Sequence, residues 1–266
     1  MPARSSGLSS QLRLGASELQ HLLRMQPRLQ QQRMMKAAEN VLDCMQTSSR
    51  RGSGVLADVL GKHTAFTEWA HYPDNDAVDA RTGYRFYYHA HTASERMAGE
   101  HGHFHVFGPA SNVRNVRKIL PAPGATCAPD STAGLRADIS PVAIPDYTHL
   151  IGISVNERGF PLRLFTTNRW VTAEHWLPAA TVIRTMQNID LAQANPAATA
   201  RWVQSMVRLF ALQIGALLQW RDARIAARSL RSDLEHVLED RRTHILSQCR
   251  IDLAQQFQFL ESAGIG

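Results

Sequence analysis

Residues 84–107 read YRFYYHAHTASERMAGEHGHFHVF, and the fold follows from this stretch. In its first part Tyr84, Phe86 and Tyr88 alternate with residues of another character. A period of two is typical of a β-strand whose two faces serve different purposes. The segment from Glu100 to Phe107 alternates in the same way, so the stretch predicts two neighbouring antiparallel strands.

Histidine is the exceptional residue of this stretch, which holds five of the 12 histidines of the chain. Strand parity puts His89 and His91 on one face of the first strand, about 6.6 Å apart along the backbone. The same parity puts His101, His103 and His105 on one face of the second strand. Matched faces would bring the imidazoles to about 5 Å from one another across the strands.

Without a metal, such a cluster gains little and repels itself as soon as the rings are protonated. We therefore predict a transition-metal site, with an unmetallated cluster on a wet sheet face as the alternative. Imidazole donors suit a divalent ion such as Fe, Zn, Cu or Ni, and the residues do not choose among these metals.

The three cysteines, Cys44, Cys127 and Cys249, are far apart and form no C-x-x-C pair. This spacing argues against a thiolate zinc site and against a disulfide scaffold. A reducing cytoplasm is the compartment that such a chain fits best.

Residues outside the hairpin are predicted to hold or orient the ligands from a second layer. They are His71, Glu100, His149, Glu174 and His175. Thr172 is predicted as the N-cap of a helix, with the Glu174 carboxylate in its first turn.

Before the hairpin, the chain is predicted to begin with a flexible tail to about Gly15 and to continue as a helix over residues 16–45 that Pro27 breaks or kinks. Residues 1–36 carry six basic side chains against one acidic one, which is five of the net +6 charges. This basic arm is either a solvated surface or a contact for nucleic acid, an anionic lipid surface or an acidic partner. A polar connector over residues 48–54 and a short helix near residues 55–60 follow.

After the hairpin, residues 108–147 are predicted to form a long irregular connection rich in Pro and Gly. His149–Val155 and Pro161–Thr167 then form a second hairpin, whose turn contains Gly159 at a position that favours a positive φ. The remainder is predicted to be helical. Pro196 opens one long helix through Trp220, and a second runs from Leu234 to Leu260 as its antiparallel partner.

These elements predict an α+β fold: a small antiparallel sheet with an N-terminal helix and a long C-terminal helical hairpin. Three regions are expected, 1–54 (basic tail and helix), 55–180 (His-rich β domain) and 181–266 (helical). The apolar stripes of the C-terminal helices indicate core packing, a homo-oligomer or a protein partner.

Two functional classes are disfavoured by the sequence. The longest apolar run, Leu209–Leu218, is far shorter than the roughly 20 residues of a bilayer span and is interrupted by Gln213. Basic and aromatic residues do not interleave as they do in nucleic-acid binders, so nucleic acid is an unlikely partner.

The spacing of residues 83–102 resembles the first metal-binding motif of the cupin family. Gly83, His89-x-His91, Glu95 and Gly102 match that motif position for position. The resemblance implies a small β-barrel in which His89, His91 and Glu95 bind a divalent metal with a further His. The second cupin motif is not recognisable downstream.

A broader resemblance spans roughly residues 66–180. The segments YYHAH (87–91), EHGHFHVF (100–107), THLIGI (148–153) and LFTTNRWV (164–171) resemble an uncharacterised bacterial protein family of unknown function. This resemblance implies a shared core site and brings no named reaction.

Two functions remain open on the sequence. One is a metal-dependent enzyme, oxidative or hydrolytic, that uses the histidine cluster. The other is a non-catalytic metal-binding or scaffold protein that engages a partner through its basic arm and C-terminal helices. An open coordination position is typical of the enzyme, and a closed ligand shell is typical of the second.

Overall fold

The computed structural model describes residues 8–51, 54–61, 67–110 and 146–264, and it confirms the α+β class. Six strands form one antiparallel sheet in chain order: β1 (Tyr72–Val78), β2 (Arg85–His89), β3 (Gly102–Pro109), β4 (Tyr147–Val155), β5 (Pro161–Thr167) and β6 (Ile245–Arg250). The helices of the described ranges are α1 (Ala16–Arg24), α2 (Arg28–Arg50), α3 (Leu56–Leu60), α4 (Arg169–Thr172), α5 (Ala179–Gln187), α6 (Ala197–Leu209), α7 (Ala211–Ser229), α8 (Leu234–Leu238) and α9 (Leu253–Ser262).

Both predicted hairpins are confirmed. Strand β2 pairs antiparallel with β3, and β4 pairs antiparallel with β5. In the turn between β4 and β5, Gly159 has a φ of +79°, as its position in the sequence predicts. Strand β3 also pairs with β4, so the two hairpins form one continuous sheet.

The sheet is an open meander in the described part of the chain, because β1 and β6 lie at its two edges. This arrangement differs from the β-barrel that the cupin resemblance implies. The motif spacing alone does not determine closure, which requires further strands to pair across the edges.

One face of the sheet carries the apolar core. Every second residue of the central strands points to this face, and none of these side chains is exposed: Phe86, Tyr88, Phe104, Val106, Ile151, Ile153 and Leu164. Helices α5 and α7 pack against the sheet, and Trp202 of α6 lies with its ring 5.4 Å from that of Phe104. The opposite face, which carries the histidines, is called the histidine face below.

The N-terminal helix is confirmed with a break at Pro27, which caps α2. Helix α2 continues to Arg50, into the segment predicted as a connector. The prediction of a flexible tail is wrong for residues 9–12, which lie along the edge of β6. The backbone N–H of Leu12 donates to the Gln248 carbonyl (2.8 Å), and the Gln248 N–H donates to the Ser10 carbonyl (2.8 Å). Such pairing is possible because an edge strand offers free backbone groups.

The predicted C-terminal helical hairpin is wrong in its second arm. Residues 234–262 form two short helices separated by β6, which extends the sheet beyond β5. Asp233 and Asp252 each cap one of these helices with a side-chain oxygen, and the two caps mark two separate starts. Pairing with β5 overrides the helical spacing of the apolar residues. The first arm is divided at Phe210 into α6 and α7.

Thr172 does not cap a helix, since it is the last residue of α4 and is followed by Ala173 in the left-handed conformation. The next helix, α5, begins only at Ala179, so Glu174 lies in the connection between the two. Most of the predicted irregular connection and Cys127 lie outside the described residues. Within the described ranges, no helix combines the length and the apolar character that a bilayer crossing requires.

Candidate metal centre

The register of β2 against β3 brings the central histidines together. His89 lies opposite His103, and Tyr87 lies opposite His105. All four side chains therefore point to the histidine face, as strand parity predicts. The neighbouring strands complete this face with His149 from β4 and Phe165 from β5.

Three imidazoles converge at the centre of this face. The Nε2 atoms of His89 and His103 lie 2.8 Å apart, and one ring nitrogen each of His89, His103 and His105 lies within 4.8 Å of the other two. The three residues are 8%, 5% and 1% exposed. Buried imidazole nitrogens that face one another need a shared proton or a cation between them.

His91 lies at the rim of this cluster. Its ring centroid is 5.1 Å from those of both His89 and His103, and it is half-buried. The indole ring of Trp69 stacks on it at 4.2 Å, while 53% of Trp69 remains exposed. Of these four imidazoles, His91 is therefore the least buried, and it lies beside an exposed ring.

His101 and Glu95 are not brought into the cluster. The parity argument does not extend to His101 because β3 begins only at Gly102. The His101 ring stacks on Tyr88, a residue of the core face. Glu95 is exposed in the turn after β2, where its carboxylate accepts a hydrogen bond from the Thr92 hydroxyl (2.7 Å).

Glu100 lies directly behind His103. One carboxylate oxygen is 2.9 Å from Nδ1 of His103, and the other accepts a hydrogen bond from Arg163 (3.0 Å). Burial alone would raise the pKa of Glu100, but the His103 and Arg163 contacts outweigh it and the pKa lies below its ordinary value. The ionised carboxylate fixes the ring proton of His103 on Nδ1, so that Nε2 presents its lone pair to the cluster.

His149 supports His105 in a similar position. Nδ1 of His105 and Nε2 of His149 lie 3.0 Å apart, and the Thr167 hydroxyl is 3.4 Å from the other ring nitrogen of His149. The backbone N–H of His149 donates to the carboxylate of Glu174, which also accepts from the Thr148 hydroxyl (2.9 Å). Glu174 thus holds the strand that carries His149.

The two remaining predicted residues lie farther out. His71 stacks on Tyr87 with ring centroids 3.7 Å apart, and its Nδ1 lies 3.1 Å from a carboxylate oxygen of Asp76. His175 is buried after α4, where its backbone N–H donates to Tyr147. His71 therefore borders the cluster, whereas His175 fixes the connection that carries Glu174.

Burial keeps four imidazoles of the histidine face neutral, namely His89, His91, His105 and His149. It lowers the pKa of His89 and His105 far below the ordinary value, and neighbouring imidazoles add to the effect. It lowers the pKa of His149 to about 3 and that of His91 to about 4. Burial also raises the pKa of Glu174 to about 7. Neutral imidazole is the form that binds a metal, so His89 and His105 are ready as donors at neutral pH.

The donor set fits a transition-metal ion. Metal–nitrogen bonds of about 2.0–2.1 Å in a tetrahedral arrangement place the nitrogens roughly 3.3 Å apart. The 2.8 Å between His89 and His103 would open by a few tenths of an ångström to admit such an ion. The carboxylate behind His103 is the partner that metal-bound histidines commonly have.

Two residues of this site are not predicted by the sequence analysis. Arg163 alternates with Leu164 in the second hairpin, so its place on the histidine face could have been found by extending the parity argument to β5. Trp69 itself has a φ of +69°, and its indole contacts His91 from this unusual backbone conformation. Nothing in the sequence signals that conformation at a tryptophan.

A cleft of about 560 Å³ lies elsewhere, between α2, the β4–β5 turn and α9. Its walls are formed by residues such as Leu42, Met45, Phe160 and Phe257, and no histidine is among its lining residues. Volume therefore does not mark the histidine cluster, which is distinguished by its chemistry.

Comparisons with known proteins give a family without an assigned activity. Neither the search of curated proteins nor the search of solved structures gave a match. The model of the family DUF6969, described as a domain of unknown function, matches residues 35–251. This range includes all six strands and confirms the resemblance to an uncharacterised family. The chain therefore belongs to the DUF6969 family.

Proposed function

We propose that this protein binds a divalent transition metal through His89, His103 and His105. The observation that carries the proposal is the convergence of three buried ring nitrogens within 4.8 Å. Two of these rings face each other through Nε2 atoms at 2.8 Å, which a metal ion would bridge. All-imidazole ligation favours Zn, Fe or Cu over a hard cation such as Ca²⁺ or Mg²⁺.

We propose further that the site leaves one coordination position open, on the side of His91 and Trp69. His91 is not among the three converging residues, and its ring is held by the Trp69 stack. A three-histidine site with an open position is typical of catalytic metals. The function that this arrangement favours is a metal-dependent enzyme of oxidative or hydrolytic type. When bound, the metal would supply Lewis acidity or redox chemistry.

The competing function is a closed, non-catalytic site. In that case His91 leaves Trp69 and becomes the fourth ligand, and the protein stores, senses or is stabilised by the metal. We also propose a cytoplasmic location and either a homo-oligomer or a protein partner bound through the C-terminal helices. These proposals hold for an open and for a closed metal site. The buried free thiols of Cys44 and Cys249 support a reducing compartment.

Metal content tests the site itself. The full chain is purified without an affinity tag, equilibrated with Zn²⁺ and dialysed, and its metal is measured by elemental analysis. We expect about one equivalent in the parent and none in the folded double variant His89→Ala/His103→Ala. The matched control His21→Ala/His236→Ala also loses two histidines, both outside the cluster, and should keep the metal. Equal metal in both double variants would reject the site.

Replacement of the metal by Co²⁺ tests the open position. Azide is a small anion that takes a free coordination position and changes the visible spectrum of Co²⁺. We expect azide to shift the spectrum of the parent. A spectrum that azide leaves unchanged in the parent, but shifts in His91→Ala, would show that His91 closes the site and would favour the non-catalytic function.

A further inference from the structure

A continuous chain of hydrogen bonds joins the histidine cluster to residues 9–12, which lie along the edge of β6 with a single bridge at Gln11 and are called the N-terminal strand below. It begins at His103, whose Nδ1 lies 2.9 Å from Glu100. Glu100 accepts from Arg163 at 3.0 Å, and a second nitrogen of Arg163 donates to the Gln248 side chain at 2.9 Å. The Gln248 amide then donates to the hydroxyl of Ser10 at 3.1 Å.

The N-terminal strand is held at the sheet edge by hydrogen bonds and by the half-buried Leu12 side chain, which packs against the core. Three backbone groups anchor it: the Leu12 N–H bonds to Gln248, the Ser10 carbonyl accepts from Gln248, and the Ser9 carbonyl accepts from the Trp220 indole (2.8 Å). Its side chains are exposed or half-buried. We expect a short edge segment of this kind to undock without unfolding the sheet.

Gln248 is the point at which the two regions meet. Its backbone holds the N-terminal strand, and its side chain lies between Arg163 and Ser10. Arg163 is mostly buried, and its guanidinium also lies over the ring of Phe165, which contacts His103 edge-on. The guanidinium of Arg163 also donates to the Ser154 hydroxyl at 3.2 Å. Because the guanidinium is planar, a shift on its Glu100 side is passed on to the side that binds Gln248.

We propose that docking of the N-terminal strand and metal binding at the histidine cluster are energetically coupled through Glu100, Arg163 and Gln248. This inference rests on the proposed metal site and adds its regulation. If His103 held a metal, its Nδ1–H would become a stronger donor to Glu100, and Glu100 would then hold Arg163 less tightly. Arg163 would in turn bind Gln248 more strongly, and the polarised amide of Gln248 would bind Ser10 more strongly.

The strand gives this coupling a defined two-state element, docked or undocked. If metal favours the docked state, docking must favour metal binding by the same factor. The Arg163, Glu100 and Gln248 side chains are positioning residues in this scheme, because they act on the metal through His103. The N-terminal strand precedes residue 35, where the family match begins, so this chain carries its regulator outside the matched region.

Amide hydrogen exchange of the full chain is the direct test. Addition of one equivalent of Zn²⁺ should slow exchange of the Leu12 and Gln248 amides by about fivefold, at the low end of allosteric couplings. Amides of α9, which is not on the hydrogen-bond chain, serve as the internal reference. In Gln248→Leu the selective slowing should vanish while metal still binds. The surface variant Gln258→Leu should behave as the parent.

The reciprocal measurement uses metal affinity. Leu12→Pro removes the N–H that bonds to Gln248, so the strand undocks and the Zn²⁺ dissociation constant should rise by about the same fivefold. Two controls match this variant. Gln11→Pro introduces a proline where the N–H points to Ser9 and not to β6, and Leu12→Ala shortens the same half-buried side chain but keeps the N–H. The Co²⁺ spectrum should also shift in Leu12→Pro, which a purely structural role of the strand would not cause.

The outcomes separate the two proposals. If the parent binds metal but Leu12 and Gln248 exchange no more slowly than α9, the coupling is wrong and the metal site stands. If Leu12→Pro weakens binding equally in the presence and absence of Gln248→Leu, the effect does not pass through Gln248 and the coupling is also wrong. If the parent binds no metal, the proposed function itself fails and the coupling fails with it.

Discussion

The two faces of the β2–β3 hairpin are formed by alternate residues of the same strands, yet they bury opposite kinds of side chain. Phe104 and Tyr88 on the core face contact other apolar rings, and the helices cover them. His103 and His89 on the histidine face are nearly as buried, but their ring nitrogens are paired with each other and with Glu100. Burial on the first face drives folding, whereas burial on the second requires a polar partner for every ring.

This difference shows that depth of burial alone does not identify a core. Apolar rings in place of the imidazoles would fill the same space and would need no polar partners such as Glu100, Arg163 and His149. The sequence keeps imidazoles there together with the partners that orient them. Such an arrangement is expected where a group must bind something, and it supports a functional role for the histidine face.

Single substitutions on the two faces should have the largest effects, and these effects should differ in kind. Phe104→Ala removes a fully buried ring and should lower the free energy of unfolding of the metal-free protein by about 3–5 kcal/mol. His89→Phe adds a little volume and leaves Nε2 of His103 without its partner, so it should cost about 1–3 kcal/mol, less than Phe104→Ala, while abolishing metal binding. Urea unfolding followed by circular dichroism gives the first quantity, and elemental analysis gives the second.

The opposite result would make the histidine face a second core. If His89→Phe destabilised the metal-free protein as much as Phe104→Ala, the imidazoles would be required for folding itself. Metal binding would then not be needed to explain why imidazoles occupy this face.

Sequence reasoning locates the histidine face because parity and the two hairpins are local properties. Alternation in residues 84–107 predicts both the strands and the meeting of His89 with His103. It fails at His101, since the residue at which a strand begins depends on its partners. It also fails for β6, whose pairing with β5 joins segments about 85 residues apart and overrides a helical pattern. The contact of Trp69 with His91 depends on an unusual backbone angle, which composition does not reveal.

Acidification should affect the two faces differently, because imidazoles can take up protons and the apolar side chains of the core face cannot. His149 has a pKa lowered to about 3 in the folded protein, against about 6.5 for an unperturbed histidine. Below pH 6.5 the unfolded chain therefore binds a proton that the native chain does not, and stability falls as the pH falls. From pH 7 to pH 5, this residue alone should cost the metal-free protein about 2 kcal/mol.

Glu174 should act in the opposite sense. Its pKa is raised to about 7, so the native chain binds the extra proton, and the stability that this adds below its unfolded pKa is lost as the pH rises through 7. Urea titrations at pH 5, 6 and 7 should show a flatter acid loss in His149→Gln and a steeper one in Glu174→Gln. Parallel profiles in the parent and His149→Gln would contradict the buried neutral imidazole.

The smallest expected effect concerns Glu95 and His101, two predicted ligands that lie outside the three converging rings. The cupin resemblance makes Glu95 a ligand, whereas the structure places it in an exposed turn on the Thr92 hydroxyl. His101 likewise lies against Tyr88, away from the three converging rings.

Because neither residue points a donor atom at the cluster, Glu95→Gln and His101→Asn should each change the Zn²⁺ dissociation constant by less than about threefold. A lost ligand usually costs far more, since second-layer partners alone contribute about 10- to 100-fold. Competition with a chromophoric chelator resolves this difference. A large loss in Glu95→Gln with an unchanged His105→Asn would move the metal to the rim and restore the cupin ligand set.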